Sequence, residues 1–581
     1  MKYKSKNIII LFCSFLWVTF LFACSKNNTP ENAKAPSNLK VSVEVVGATA
    51  AMPDGNGSGT VNVTLSATDA TTYQLILPSE NNKTLTLNKP EGGTLSYSFT
   101  SNPGTATTYP LQAIAYNGPV KKDSTLYVKV YCGFAKTDVA FWLTTPDKIS
   151  LFKNQNVSLL FSQSGNANTT IDVDAAQKFQ TIDGFGFALT GGSATLINGL
   201  APQTKDDLLK ELFTTDSTFI GISYLRVSIG SSDLSASTFT YDDYPGDSTL
   251  QHFNMDMEKV DLIPVLQKIL VLNPDIKILG SPWSAPAWMK TNNNLYGGGA
   301  NPGKLKPKCY DVYSRYFVKY IQTMEAAGIP IDAITTQNEP LNAWNNPSML
   351  MEANEQSDFI KNYLAPQFKA NGIKTKILVY DHNLDHPEYA TTVLSDPDAY
   401  SAVDGSAFHL YAGVIGTMSN VHNQFPNKNL YFTEQYTSST GDFAGDVQWH
   451  IENVMIGATS NWSKNAIEWN LASDPNMQPH TSGGCSDCLG AVTISGTEVL
   501  SRNQSYYAAA HASKFVRPGS VRIASSSVNN LPNVAFQTTD GKKVLIVLNK
   551  ANSSTTFNIR FNGQMVSPTL PAGAVGTFVW Q

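Results

Sequence analysis

From about Gln177 the chain repeats one alternation, a short apolar run followed by an amphipathic stretch, eight times over. The runs are Thr181–Phe187, Ile222–Ile229, Ile276–Leu279, Ile331–Thr335, Lys376–Tyr380, Gly405–Leu410, Asn429–Phe432 and Ala466–Trp469. Runs this short read as buried strands, and the segments between them repeat at helical spacing. In CYDVYSRYFVKYIQTMEAAG, Tyr313, Tyr316, Phe317, Tyr320, Ile321 and Met324 share one helical face, and Gly328 stops the helix. That aromatic stripe is expected to pack on a sheet rather than to bind anything. Parallel strands need crossover helices, and eight such units suggest a closed (β/α)8 TIM barrel over 176–514.

The flanks read differently. Between 38 and 135 only strand signals occur, such as Val61-Asn62-Val63-Thr64-Leu65, with Gly, Pro, Asn and Asp clusters between them. They predict an N-terminal immunoglobulin-like β domain, serving as spacer or binding module. Segments 136–175 and 515–581 are also β-rich, and are expected to join as a β-sandwich flanking the barrel. A chain of 581 residues has room for these several cores.

The chain starts with Lys2, Lys4 and Lys6, then IIILFCSFLWVTFLFA, then Cys24. A basic head before an apolar run is an export signal. Leu21-Phe22-Ala23-Cys24 resembles a bacterial lipobox, so 1–24 is expected to be a lipoprotein signal peptide and Cys24 the lipidated residue. The alternatives are an ordinary signal peptide or an uncleaved anchor. Segment 25–37 reads as a flexible tether. The expected location is a bacterial membrane, the outer membrane and cell surface in particular, with the chain held there as a monomer through its lipid.

Of the six cysteines, Cys485 and Cys488 sit in GGCSDCLG. No second CxxC and no nearby His pair completes a zinc site, so an exported chain predicts a loop disulfide here. Cys132 and Cys309 are expected to be unpaired and at least partly buried. The formal net charge of −5 leaves no basic excess for phosphates, which gives no support to a nucleic-acid partner.

In such a barrel, chemistry gathers at the C-terminal ends of the strands. The fourth run leads into Gln337-Asn338-Glu339-Pro340, and the seventh into Thr433-Glu434-Gln435. Each glutamate alone fits a solvated turn. Two at equivalent strand ends can face one pocket, and paired carboxyls suit glycoside hydrolysis. At about 5 Å and an effective dielectric of about 20, they repel by roughly 3 kcal/mol. That is expected to lift the proton carrier's pKa toward about 6. Asp381, His382, Asp385 and His386 offer zinc-type ligands on paper, but this chemistry needs no metal and none is expected.

The segments QTIDGFGFALTGGSA, ISYLRVSIGSSDLS, LGSPWSAPAWMKTN, TTQNEPLN, YDHN, AFHLYAG, YFTEQY, IEWNLA and SKFVRPGSVRI together resemble glycoside hydrolase family 30. The resemblance runs from about 136 to 581 and omits the N-terminal β domain. It implies a retaining mechanism without a cofactor, with Glu339 as acid/base and Glu434 as nucleophile. It implies that Asn338 bonds the sugar 2-hydroxyl and that Arg226 and Tyr411 hold Glu434 ionised. Asp233, Trp283, His409 and Trp469 match positions that line the sugar site. QNEPLNAWNNPSMLM with GGCSDCLG looks most like the bacterial endo-β-1,6-glucanase subgroup, which implies a β-glucan substrate. Glucosylceramidase-like, exo-β-glucosidase and β-xylanase activities of the same family are alternatives. A non-catalytic glycan-binding surface lipoprotein is a further one, although it has no need of both glutamates.

Overall fold

The computed structural model describes residues 33–49, 52–99, 105–132 and 137–581. The export signal, Cys24 and most of the tether lie outside the described residues. The chain divides into two compact units, 1–134 and 135–581.

The first unit is a two-sheet antiparallel sandwich. Ser37–Val45, Thr60–Thr68 and Gly93–Ser98 form one sheet, in that order. Lys83–Leu87, Thr72–Leu77, Thr105–Asn117 and Val120–Cys132 form the other. Alternation explains the core: Val61, Val63 and Leu65 from one sheet meet Tyr73, Leu75 and Leu77 from the other. The fourth strand pairs with the third, whereas a constant-type immunoglobulin domain pairs it with the fifth. Cys132 is buried and free within this core.

The second unit contains the expected closed barrel. Its strands are β1 (Gly184–Ala188), β2 (Tyr224–Ser228), β3 (Lys277–Ser281), β4 (Ala333–Thr335), β5 (Lys376–Asn383), β6 (Gly405–His409), β7 (Asn429–Glu434) and β8 (Ser463–Glu468). All neighbours are parallel, and β1 closes on β8. The helix Tyr310–Ala326 buries the predicted aromatic stripe, with Phe359 against Tyr313 and Phe317. Gly328, at φ 79°, follows its end as expected. Cys309, just before that helix, is also buried and free.

A nine-stranded sheet flanks the barrel. It combines Val139–Thr144, Lys153–Gln155 and Thr170–Thr181 with six strands from Val521–Ser525 to Val575–Trp580. Segments before and after the barrel therefore share one sheet, as expected. Thr170–Thr181 runs across the boundary expected at 175/176, because its antiparallel pairing with Val521–Ser525 continues as far as Thr181.

The period-two alternation of the barrel strands builds the interior in layers. Tyr224, Leu279, Ala333, Leu378, Ala407, Tyr431 and Ile467 make one buried apolar cluster. Two residues further along, the same faces of five strands carry Arg226, Ser281, Thr335, His409 and Thr433. An apolar plug thus lies beneath a polar layer at the C-terminal end, which is where the carboxylates stand.

Candidate active site

Strand β5 breaks the alternation in a way that matters. A register shift lies between Tyr380 and His382, and Tyr380 and Asp381 have φ 73° and 67°. Continued alternation would aim Tyr380 inward after Leu378. The bulge turns Asp381 inward instead, into the polar layer. Its Oδ2 accepts from Arg226 Nη2 (2.7 Å), Ser281 Oγ (2.9 Å) and Thr335 Oγ1 (2.7 Å). Its Oδ1 accepts from Thr433 Oγ1 (2.6 Å) and lies 3.0 Å from His409 Nε2. Burial pushes the Asp381 carboxyl up, but Arg226 and the His409 and Thr433 hydrogen bonds win and hold it well below the usual range. Sequence reading placed Asp381 in the family-like segment YDHN and in a discarded metal set, without a role in the site. The four residues of that set do not converge: His386 is on the surface, 2.8 Å from Glu388.

Arg226 is fully buried and organises the layer. Beyond Asp381, its Nη1 donates to Glu434 Oε2 (2.5 Å) and its Nη2 to Asn338 Oδ1 (2.7 Å). Tyr411 Oη donates to Glu434 Oε1 (3.0 Å). Glu434 thus receives a cation and a hydroxyl, the set expected for a carboxylate held in its charged form. Glu339 stands on the turn after β4 with φ 44°, a left-handed conformation unusual for a residue with a side chain. Its N–H is fixed by Asp381 O (2.9 Å), and its Oε2 accepts from Asn342 Nδ2 (2.7 Å).

A carboxylate oxygen of Glu339 and one of Glu434 lie within 4.8 Å of each other. Retaining glycosidases place these groups about 5–5.5 Å apart, and inverting ones leave roughly 6.5–9.5 Å for a water. Both residues border one cavity of about 370 Å³, with Asp233, Trp283, Asn342, Trp344, Tyr411, Tyr436, Trp469 and the Cys485–Cys488 loop. Cys485 and Cys488 are joined as a disulfide. The Cys485 N–H donates to Asp233 Oδ2 (3.2 Å), so that loop orients the acid. Burial, with Glu434's charge next, pushes Asp233 up to about 7.

Two expectations are corrected. His409 does not line the cavity. It is wholly buried between the carboxylates, with Nδ1 3.3 Å from Glu339 Oε1 and 3.6 Å from Glu434 Oε1. Trp283 and Trp469 do border the cavity, but only 1% and 4% of their surface is exposed. They stack on each other, centroids 5.3 Å apart, with the Arg226 guanidinium 4.8 Å from the Trp283 ring. They form a wall and offer little open face.

The second correction is electrostatic. Burial opposes the charge on Glu339, but the His409 hydrogen bond and the charges of His382 and His409 draw it down to about 2. Glu434 moves up, because burial and the charges of Glu339 and Asp381 outweigh His409 and Arg226. One proton accounts for both. Burial would lower His409, yet Glu434, Asp381 and Glu339 together push it up to about 9. His409 and the two carboxyls therefore titrate as one coupled set, with His409 Nδ1 3.3 Å from Glu339 Oε1.

Comparisons with known proteins agree with this geometry. The Glycosyl hydrolase family 30 TIM-barrel domain matches residues 182–516, and the Glycosyl hydrolase family 30 beta sandwich domain matches 519–578. The endo-1,6-beta-D-glucanase BGN16.3 of Trichoderma harzianum is 35% identical over 435 residues, covering 71% of this chain and 86% of that protein. The lysosomal acid glucosylceramidase of Mus musculus is 30% identical, covering 70% and 82%. The solved structure of the endo-beta1,6-glucanase BT3312 is 35% identical with a TM-score of 0.71, covering 77% of this chain and 99% of that one.

Proposed function

The chain belongs to glycoside hydrolase family 30, and from that premise we propose that it is a retaining endo-β-1,6-glucanase acting through a covalent glycosyl-enzyme. The observation that carries the mechanism is the approach of the two carboxylates to within 4.8 Å across one cavity. Similarity to β-1,6-glucanases, both as a curated relative and as a solved structure, supports the linkage.

Glu434 attacks the anomeric carbon, its charge steadied by Arg226 and Tyr411. Glu339 protonates the departing oxygen, then deprotonates the water that releases the sugar. Its proton comes from His409 Nδ1, 3.3 Å away. As the ester forms, Glu434 loses the charge that held the proton on the imidazole, so release from His409 becomes easier as the reaction advances. Asn338 is pinned through its Oδ1 by Arg226, and its amide N–H groups serve the sugar 2-hydroxyl. Asp233, held by the disulfide loop, serves another hydroxyl.

Linkage-defined β-glucans test the substrate. Medium-length products early from β-1,6-glucan support endo action, glucose from chain ends alone means exo action, and turnover of glucosylceramide alone rejects the glucan. The roles are tested on an activated aryl glycoside of the confirmed linkage. Glu434→Gln should lose nearly all turnover. Glu339→Ala should still form the covalent intermediate, and azide should rescue it with a β-glycosyl azide. An α-azide, or rescue of the Glu434 variant alone, would reverse the roles.

The sequence further supports export and lipid attachment at Cys24, with the N-terminal sandwich as a spacer. Two or more acyl chains hold a protein stably on a membrane. Cys24→Ser should move the protein to the soluble fraction with its activity intact; retention in the membrane fraction would favour an uncleaved anchor.

A further inference from the structure

Trp344 is 76% exposed, yet it borders the catalytic cavity. Single exposed aromatics are ordinary on a protein surface. This one is fastened. Its N–H donates to Asn342 Oδ1 (3.0 Å), while the Asn342 N–H donates to Glu339 O (2.9 Å) and Asn342 Nδ2 to Glu339 Oε2 (2.7 Å). Its six-membered ring lies against Gly299, where an added Cβ would come within 2.6 Å of the ring. The Gly299 N–H donates to Ala343 O (3.0 Å), tying the same two loops together. Glu339, Asn342 and Trp344 therefore move as one piece.

The side of the cavity follows from the chemistry. Glu434, with Arg226 and Tyr411, takes the anomeric carbon, whereas Glu339 meets the departing oxygen. A ring attached to Glu339's own turn stands where the departing sugar stands. The other tryptophans that border the cavity, Trp283 and Trp469, are spent on each other and on Arg226. A 6-linked sugar also leaves through its exocyclic carbon, with one more free rotation than a ring-attached linkage. Its bond to the chain does not fix where its ring lies, so the ring needs a surface of its own.

We propose that Trp344 is the stacking platform for the leaving-group sugar, and that it sets preference for chains over small glycosides; this rests on the glycosidase reading above. The C–H face of a β-linked glucose lies on the indole, which places its O6 beside Glu339.

The test compares wild type, Trp344→Ala and Trp344→Phe on β-1,6-linked glucose oligosaccharides and on β-gentiobiosyl fluoride, whose leaving group has no ring. Trp344→Ala should lose at least about tenfold in kcat/KM on the oligosaccharides and stay within about twofold on the fluoride. Trp344→Phe should recover most of the loss. Equal loss on both substrates, loss on the fluoride alone, or no loss on the oligosaccharides overturns the proposal. A wild type inactive on β-1,6-oligosaccharides sinks the substrate reading instead, and Trp344 is then judged on the β-linked oligosaccharide, with its matching fluoride, that the wild type cleaves.

Discussion

His409 is the residue on which the site's pH behaviour turns. Its pKa rises from 6.5 to about 9 through Glu434, Asp381 and Glu339, so the proton it carries is full below about 6.5 and leaves as pH passes about 9. Glycosylation needs that proton on the His409–Glu339 pair and no proton on Glu434. The kcat/KM profile should therefore be bell-shaped, with a basic limb near about 9. In His409→Asn the proton can sit only on Glu339, a weaker holder, and the basic limb should move to lower pH. An unmoved limb in that variant would reject His409 as the proton's resting place. The ion pairs of His409 with Asp381 and Glu339 should also stabilise the fold below about 6.5 and fade through about 9. Arg226 makes a sharper demand. It is buried against Asp381 and Glu434, so Arg226→Met leaves two buried carboxylates without their cation. That should cost roughly 3–5 kcal/mol of stability, read from denaturant midpoints, and abolish turnover.

The elements explain what was legible in the chain and what was not. All eight barrel strands could be read, because each is a short apolar run between helical stretches, and strand ends pointed to Glu339 and Glu434. Asp381 escaped because alternation puts it on the wrong face, and only the β5 bulge turns it inward. Trp344 escaped because its partner, Gly299, lies in a loop whose approach no periodicity encodes. Trp283 and Trp469 do border the cavity as expected, but their stacking on each other is a tertiary event that no periodicity encodes. Glycine shows how closely two strands meet: Gly405 on β6 pairs with Asn429 on β7, and an added Cβ would lie 1.8 Å from the Asn429 carbonyl oxygen. Gly405→Ala should cost about 2–4 kcal/mol or prevent soluble expression, whereas Gly372→Ala, with open space around it, should suffer only its backbone strain. Equal midpoints for the two variants would contradict the packing described for the barrel.

At the scale of the whole molecule, catalysis and the N-terminal sandwich separate. The matched family domains span 182–578, and the first unit ends at Phe134. A chain restricted to 135–581 should fold and cleave soluble oligosaccharides as fast as the full protein, since the residues named around the cavity all belong to the second unit. A drop in kcat/KM on those small substrates would give the sandwich a part in the site. The nine-stranded sheet carries a different consequence. Val575–Trp580 lies between Lys543–Leu548 and Val139–Thr144, so a strand from after the barrel fastens one from before it. Without Val575–Trp580, Val139–Thr144 and its hairpin partner Lys153–Gln155 would have no neighbour to hold in that sheet. The catalytic unit is built like a belt whose two ends meet in one buckle.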